Sequence, residues 1–269
     1  MNSHRLTVLL ALVLLASPAL AGPIGPGADL WTTRGDGRTF VDFSTEPIPA
    51  GFFCPGSQPF TGRIDFRGVP IVGAPGTTDT IVERLDEANF NERGVAVTRT
   101  RVRAIQLEGL AAISTSCGAY AVRVSLAPGE QPLNRMRIKQ VDDNGGTFTA
   151  NLALVVRMTF TPVGRRAPVR TFDHTVVFER PASFPWARAA SRLEQSREMM
   201  IDTNADGRVD TRIARNDFLA GWSAGAAVQG GAFEGAPQAL RELLEEELRD
   251  YHEAPTHAHY VYCETCAEP

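Results

Sequence analysis

The sequence predicts a mainly β protein, an antiparallel β-sandwich followed by a smaller helical C-terminal region. Three observations predict it. In residues 147–161 every even position is apolar and every odd position except Ala153 and Val155 is polar, shorter segments of the same period follow one another between turn residues, and from residue 182 the composition shifts towards helix formers. A period of two buries one face of a strand and leaves the other to solvent. Several such segments, with no helix-period stretch between them, pack as antiparallel sheets.

The elements follow in order. In residues 1–21, His4 and Arg5 precede an apolar run that ends at Ser17-Pro18-Ala19-Leu20-Ala21. A basic start, an apolar stretch short for a bilayer span and an Ala-x-Ala end read as a secretory signal cut before Gly22. Gly22, not a cysteine, stands directly after the cut, which argues against a lipid anchor, and no later stretch is apolar enough for a spanning helix. The expected location is secreted or periplasmic. Residues 22–38 are rich in Gly and Pro and are expected to be extended or partly loose, with Arg34-Gly35-Asp36 a chance triplet in a turn.

Residues 39–181 form the β region, as one domain or two small ones. Strands are expected at 40–44, 63–69, 80–85, 95–107, 120–126, 147–161 and 171–179. In the longest, Phe148, Ala150, Leu152, Leu154, Val156, Met158 and Phe160 make the apolar stripe. Before it, Met136 and Ile138 alternate with Arg135, Arg137 and Lys139, and Asp142-Asp143-Asn144-Gly145-Gly146 supplies a hairpin turn. Residues 182–269 are expected to hold helices at 186–200 and 237–251. In the second, Leu240, Leu243, Leu244, Leu248 and Tyr251 share a stripe, Pro237 opens the first turn and Pro255 lies past the end.

Charge and cysteines bound the function. The chain carries 27 basic and 31 acidic residues, a net charge of −4 that loss of Arg5 makes more negative. That balance argues against nucleic acid as a partner, since such affinity needs a dense basic surface. Every basic residue except Lys139 is an arginine. Arginine codons are GC-rich, so a GC-rich bacterial genome is the expected source. Four cysteines in an oxidising compartment suggest two disulfides, of three possible pairings. Cys54–Cys117 would lie within the β region, and Cys263–Cys266 would close the shortest loop.

The sharpest chemical motif is Asp202-Thr203-Asn204-Ala205-Asp206-Gly207-Arg208-Val209-Asp210. Oxygen-bearing side chains at every second place, with a glycine at the turn, suit Ca²⁺, which takes six to eight oxygen ligands. Asp202, Asn204 and Asp206 would supply side chains, Arg208 its carbonyl, and Asp210 a direct or water-mediated ligand. The nine residues resemble the calcium loops of EF-hand, dockerin and thrombospondin type 3 families. The resemblance implies a bound Ca²⁺ and nothing about the rest of the chain. It departs from the pattern at Ile213, where an EF-hand has a bidentate Glu and a dockerin usually an Asp; Asp217 or Glu198 are the substitutes in reach. The alternative is an Asx-rich turn without metal.

Other motifs compete. Gly221-Trp222-Ser223-Ala224-Gly225 matches the nucleophile elbow of α/β-hydrolases, with Asp250 and His257 following in nominal order, but lacks the parallel α/β context that elbow requires. His252, His257, His259, Cys263 and Cys266 would bind Zn²⁺ if the thiols were reduced. His174 shares the stripe of Phe172, Val176 and Phe178 and reads as a core histidine. Arg99, Arg101 and Arg103 line one strand face, which attracts anions or is simply solvated. Gly56-Ser57-Gln58-Pro59-Phe60-Thr61-Gly62 and Thr78-Asp79-Thr80-Ile81-Val82-Glu83-Arg84 resemble stretches of uncharacterised exported bacterial proteins, a resemblance that implies no activity. The leading expectation is an exported, non-enzymatic protein with a structural calcium loop, its role adhesion, envelope or matrix binding, or simply structure. The competitors are a secreted serine hydrolase using Ser223 and a metal-handling role for the tail.

Overall fold

Strands, and no helix, carry the chain wherever its structure is described. The computed structural model describes residues 22–74, 76–142, 145–164, 166–178, 183–188, 198–214 and 218–220. In chain order the strands are β1 (Gly27–Trp31), β2 (Phe40–Asp42), β3 (Arg63–Gly68), β4 (Thr80–Arg84), β5 (Val95–Ile105), β6 (Leu107–Gly109), β7 (Ile113–Thr115) and β8 (Gly118–Leu126). They continue with β9 (Asn134–Asp142), β10 (Gly145–Pro162), β11 (Arg170–Phe178), β12 (Phe184–Arg188), β13 (Met199–Ile201), β14 (Thr211–Ile213) and β15 (Phe218–Ala220).

One strand organises the rest. The alternation read from the sequence makes β10 18 residues long, too long to serve one sheet. Its first half pairs with β9 on one side and β12 on the other; from Leu152 onwards it pairs with β11 and β8. The first half of the sheet therefore runs β1-β4-β5-β9-β10-β12-β15, and the second runs β11-β10-β8-β6-β3-β2, with β7 beside β8. All these pairings are antiparallel. The two halves enclose one core in a sandwich-like arrangement, in which Trp31, Val82, Met136 and Phe148 meet Phe66, Tyr120, Val156 and Phe160.

The hand-over on β10 leaves backbone groups that β9 no longer reaches. Two buried amide side chains take them: Asn134 accepts from the Ala153 amide at 2.7 Å and donates to its carbonyl at 3.1 Å. Gln131 does the same for Val155 at 3.0 and 3.1 Å. Buried main-chain groups are thereby satisfied where the ladder would otherwise break.

Of the 22–38 segment, expected to be extended or partly loose, Gly27–Trp31 is extended as β1, which pairs with β4 and is buried at all five residues. Two expectations need correction. Trp186 and Met199–Met200 stand in strands, not in a helix spanning 186–200. Phe184 and Trp186 alternate into the core, where Trp186 stacks on Phe90 with centroids 6.3 Å apart, and burial on alternate residues favours a strand. The expected segment 95–107 divides into β5 and β6. The expected helix at 237–251 and the signal at 1–21 lie outside the described residues.

Cys54 and Cys117 stand in turns, and the fold bridges them as the sequence led one to expect, with Cα atoms 6.1 Å apart. The bridge pins the loop after β2 to the β7–β8 turn, over a ring cluster of Phe52, Phe53, Phe60, Tyr120 and Phe160. A disulfide fits an extracytoplasmic location. Cys263 and Cys266 lie outside the described residues.

Candidate functional site

The Asp202–Asp210 motif forms the loop of the β13–β14 hairpin. An EF-hand loop joins two helices; this one joins two short strands. Met199, Ile201 and Ile213 point one way from the hairpin and pack on Ala28, Leu30, Ile71, Ile81 and Ala104. Ala28, Leu30, Ile81 and Ala104 belong to the outer face of β1, β4 and β5, and Ile71 to the loop after β3, so the hairpin is a third layer on the sandwich. Its seat is close: the Asp202 amide donates to the Val72 carbonyl at 3.0 Å. A Cβ on Gly73 would lie 2.2 Å from the Met200 carbonyl.

Within the loop, Asx turns bend the backbone. Asp202, only 2% exposed, accepts from the Asp206 amide through Oδ1 at 3.2 Å and from the Gly207 amide through Oδ2 at 2.8 Å. Asn204 Oδ1 accepts from the Asp206 amide at 3.1 Å, and its amide group donates to Asp206 Oδ2 at 3.2 Å. Asp206 Oδ1 accepts from the Arg208 amide at 2.8 Å. Ala205 and Gly207 adopt φ values of 61° and 86°, which lets these amides turn inwards.

The structure thus brings Asp202, Asn204 and Asp206 together. Arg208 joins through its amide. Asp210 is exposed and bonded to the Thr211 hydroxyl at 3.2 Å instead. Of the two proposed substitutes for Ile213, Glu198 is held by Arg212 across the hairpin, and Asp217 lies outside the described residues. Among the described residues, no three His, Cys, Asp or Glu side chains cluster as a metal site. The oxygen-bearing side chains that converge here are a mixed Asp and Asn set.

Beside the hairpin lies an open cleft of about 350 Å³. Arg101 and Arg103 of β5, Ala127 and Gln131, and Thr203 and Thr211 of the hairpin line it. The two threonine hydroxyls bond to each other at 2.9 Å. Arg101 donates to Glu130 at 3.0 Å, and Arg103 lies 3.7 Å from Glu83. Arg99 holds Asp86 through two bonds of 2.7 and 2.8 Å, which keeps that carboxyl below its ordinary value. The three arginines that the sequence marked are therefore each matched by an acid.

The adjacent β9 carries Arg135, Arg137 and Lys139 on the same outer face, all exposed and without an ion pair among the described residues. Their alternation was legible; that they, and not the β5 arginines, are unmatched was not, because Asp86, Glu130 and Glu83 come from other parts of the chain. His174 is stacked on Phe172 with centroids 5.3 Å apart, and burial holds its pKa below the ordinary histidine value. Asp36 of the Arg-Gly-Asp triplet accepts from the Arg38 amide in a turn. Ser223 and the tail residues His252, His257 and His259 lie outside the described residues.

No protein-family model, curated protein or solved structure matches the chain.

Proposed function

We propose that this is an exported, sandwich-like binding protein of bacterial origin, without catalytic activity, whose Asp202–Asp210 loop holds a structural Ca²⁺. The observation that carries the calcium reading is the convergence of Asp202, Asn204 and Asp206 in one loop on a packed hairpin. Each carboxylate oxygen that accepts one amide keeps a second lone-pair site for a cation. Asp210 and the Arg208 carbonyl complete the ligand set by small loop movements, with water filling the rest. The terminal bidentate acid is absent, so the affinity falls in the weak extracellular class, about 10⁻⁴ to 10⁻³ M. The signal-like residues 1–21 and the Cys54–Cys117 bridge support export.

Calorimetry and thermal melting of the mature chain test the loop. At about 10 mM Ca²⁺ the expected stabilisation is roughly 1–3 kcal/mol, from the affinity range above. Mg²⁺ should do much less, because it demands a smaller octahedral site. Asp206→Ala removes an exposed ligand and should abolish the response while leaving the metal-free melt nearly unchanged. A melt unmoved by millimolar Ca²⁺, with no binding heat, leaves the loop an ordinary turn.

A further inference from the structure

Strand period places Met136 and Ile138 of β9 in the core and Arg135, Arg137 and Lys139 on the outer face. Same-face neighbours on a strand stand about 6.7 Å apart, so the three cations form a straight row. Across the ladder, Arg135 faces Arg99 and Arg137 faces Val97. Like charges placed directly opposite destabilise a sheet unless an anion lies over them. Asp86 matches Arg99, and no carboxylate among the described residues matches the β9 row.

The row also has apolar company. Val97 is 54% exposed, Leu133 50% and Val141 44%, beside Arg137, two residues before Arg135 and two residues after Lys139. We propose that this outer face of β5 and β9 docks on an anionic phospholipid bilayer. Phosphate headgroups would meet the cations, and the aliphatic side chains would enter the interface beneath them. An acidic polysaccharide or a nucleic acid would satisfy the cations and leave the valines and the leucine in water. No aromatic ring stands in the row for bases to stack on. The net charge of −4 makes the remaining surface repel such a membrane, which fixes the orientation. The proposal rests on the reading of the chain as an exported binding protein and is independent of the calcium loop.

Co-sedimentation of the mature chain with vesicles of phosphatidylglycerol and phosphatidylcholine, against phosphatidylcholine alone, tests it. The chain should partition onto the anionic vesicles at low ionic strength and leave them as salt shortens the Debye length. Each cation near the surface is worth about five-fold, so Arg135→Gln, Arg137→Gln and Lys139→Gln together should weaken partitioning about a hundred-fold. Arg67→Gln, Arg157→Gln and Arg212→Gln together make the same charge change at ion-paired surface sites and should cost only a few-fold. Lys139 is the sole lysine, so vesicles should protect that one side chain from an amine-reactive label.

Equal losses in the two triple variants overturn the proposal, as does an unprotected Lys139. Retention on an acidic polysaccharide without partitioning onto anionic vesicles, at one ionic strength, overturns it in favour of that polymer. A chain that responds to Ca²⁺ and ignores both vesicles and polysaccharide loses this surface and keeps the loop. The converse result does the reverse.

Discussion

Replacing Asp29 by Asn should remove a pH dependence that a buried ion pair builds into the fold. Asp29 on β1 and Arg84 on β4 have fully buried side chains. Arg84 Nε donates to both carboxylate oxygens at 3.0 and 3.1 Å, and Nη1 donates to the Gly25 carbonyl. Burial pushes the Asp29 carboxyl from 3.8 up to about 6, and the Arg84 charge and hydrogen bond pull it back only in part. The native state therefore keeps this proton to higher pH than the unfolded chain does. Its contribution to stability is complete below the unfolded value near 3.9, declines as pH rises, and is lost above about 6. At 1.36 kcal/mol per pH unit, the loss is about 3 kcal/mol. Urea melts of both proteins between about pH 4 and 7 measure it, because Asn carries no such proton. The stability of the wild type minus that of Asp29→Asn should fall by that amount across the interval. Arg84→Met leaves the carboxyl buried without its counter-charge, so there the fall should extend to higher pH. A difference that stays flat, or grows with pH, refutes the reasoning. It would mean that the guanidinium's attraction exceeds the cost of burying the carboxylate.

Two further perturbations follow from packing. The Cys54–Cys117 bridge closes a loop of sequence separation 63, for which chain entropy gives about 4 kcal/mol. Cys54→Ser with Cys117→Ser should lose roughly that in urea melts, and a loss below about 1 kcal/mol would show that the ring cluster already holds the loop. Gly68→Ala would set a Cβ 1.8 Å from Asp79 Oδ2, on a buried carboxylate that accepts from the Thr33 amide, the Thr33 hydroxyl and the Thr80 hydroxyl. The expected cost is about 3 kcal/mol with faster hydrogen exchange at Thr33, and unchanged exchange there would sink the assignment.

Much of the β framework was legible because burial on one face writes a period of two into the chain. The stripe from Phe148 to Phe160 is buried throughout its even positions, and the expected segments near β2, β3, β4, β8 and β11 fall within a few residues of those strands. The short strands β1, β7 and β12 to β15 were not legible. In β1, Leu30 and Trp31 are adjacent and both buried, because β1 is covered on one side by the core and on the other by the hairpin. Burial on both faces erases the alternation. In β12, Phe184 and Trp186 give only two matches to a strand period, and the helix-forming composition that follows outweighed them. The ion pairs of Arg99, Arg101 and Arg103 were hidden for a different reason: a strand's own sequence shows which face a charge takes and not which distant acid meets it.

Position 213 joins the loop chemistry to the packing. The resemblance to known calcium loops asks for an acid there, and the fold buries Ile213 to 2% exposure against Ile71, Ile81 and Ala104. An acid at that place would have to sit in the contact that docks the hairpin, where an unpaired carboxylate costs several kcal/mol. Docking and terminal ligation compete for one side chain, and docking holds it. Position 213 therefore offers no ligand to an ion in the loop, which supports the weak affinity proposed for it. The same contact fixes where Thr203 and Thr211 stand, so the hairpin supplies one wall of the cleft beside Arg101 and Arg103 through its packing, with or without an ion.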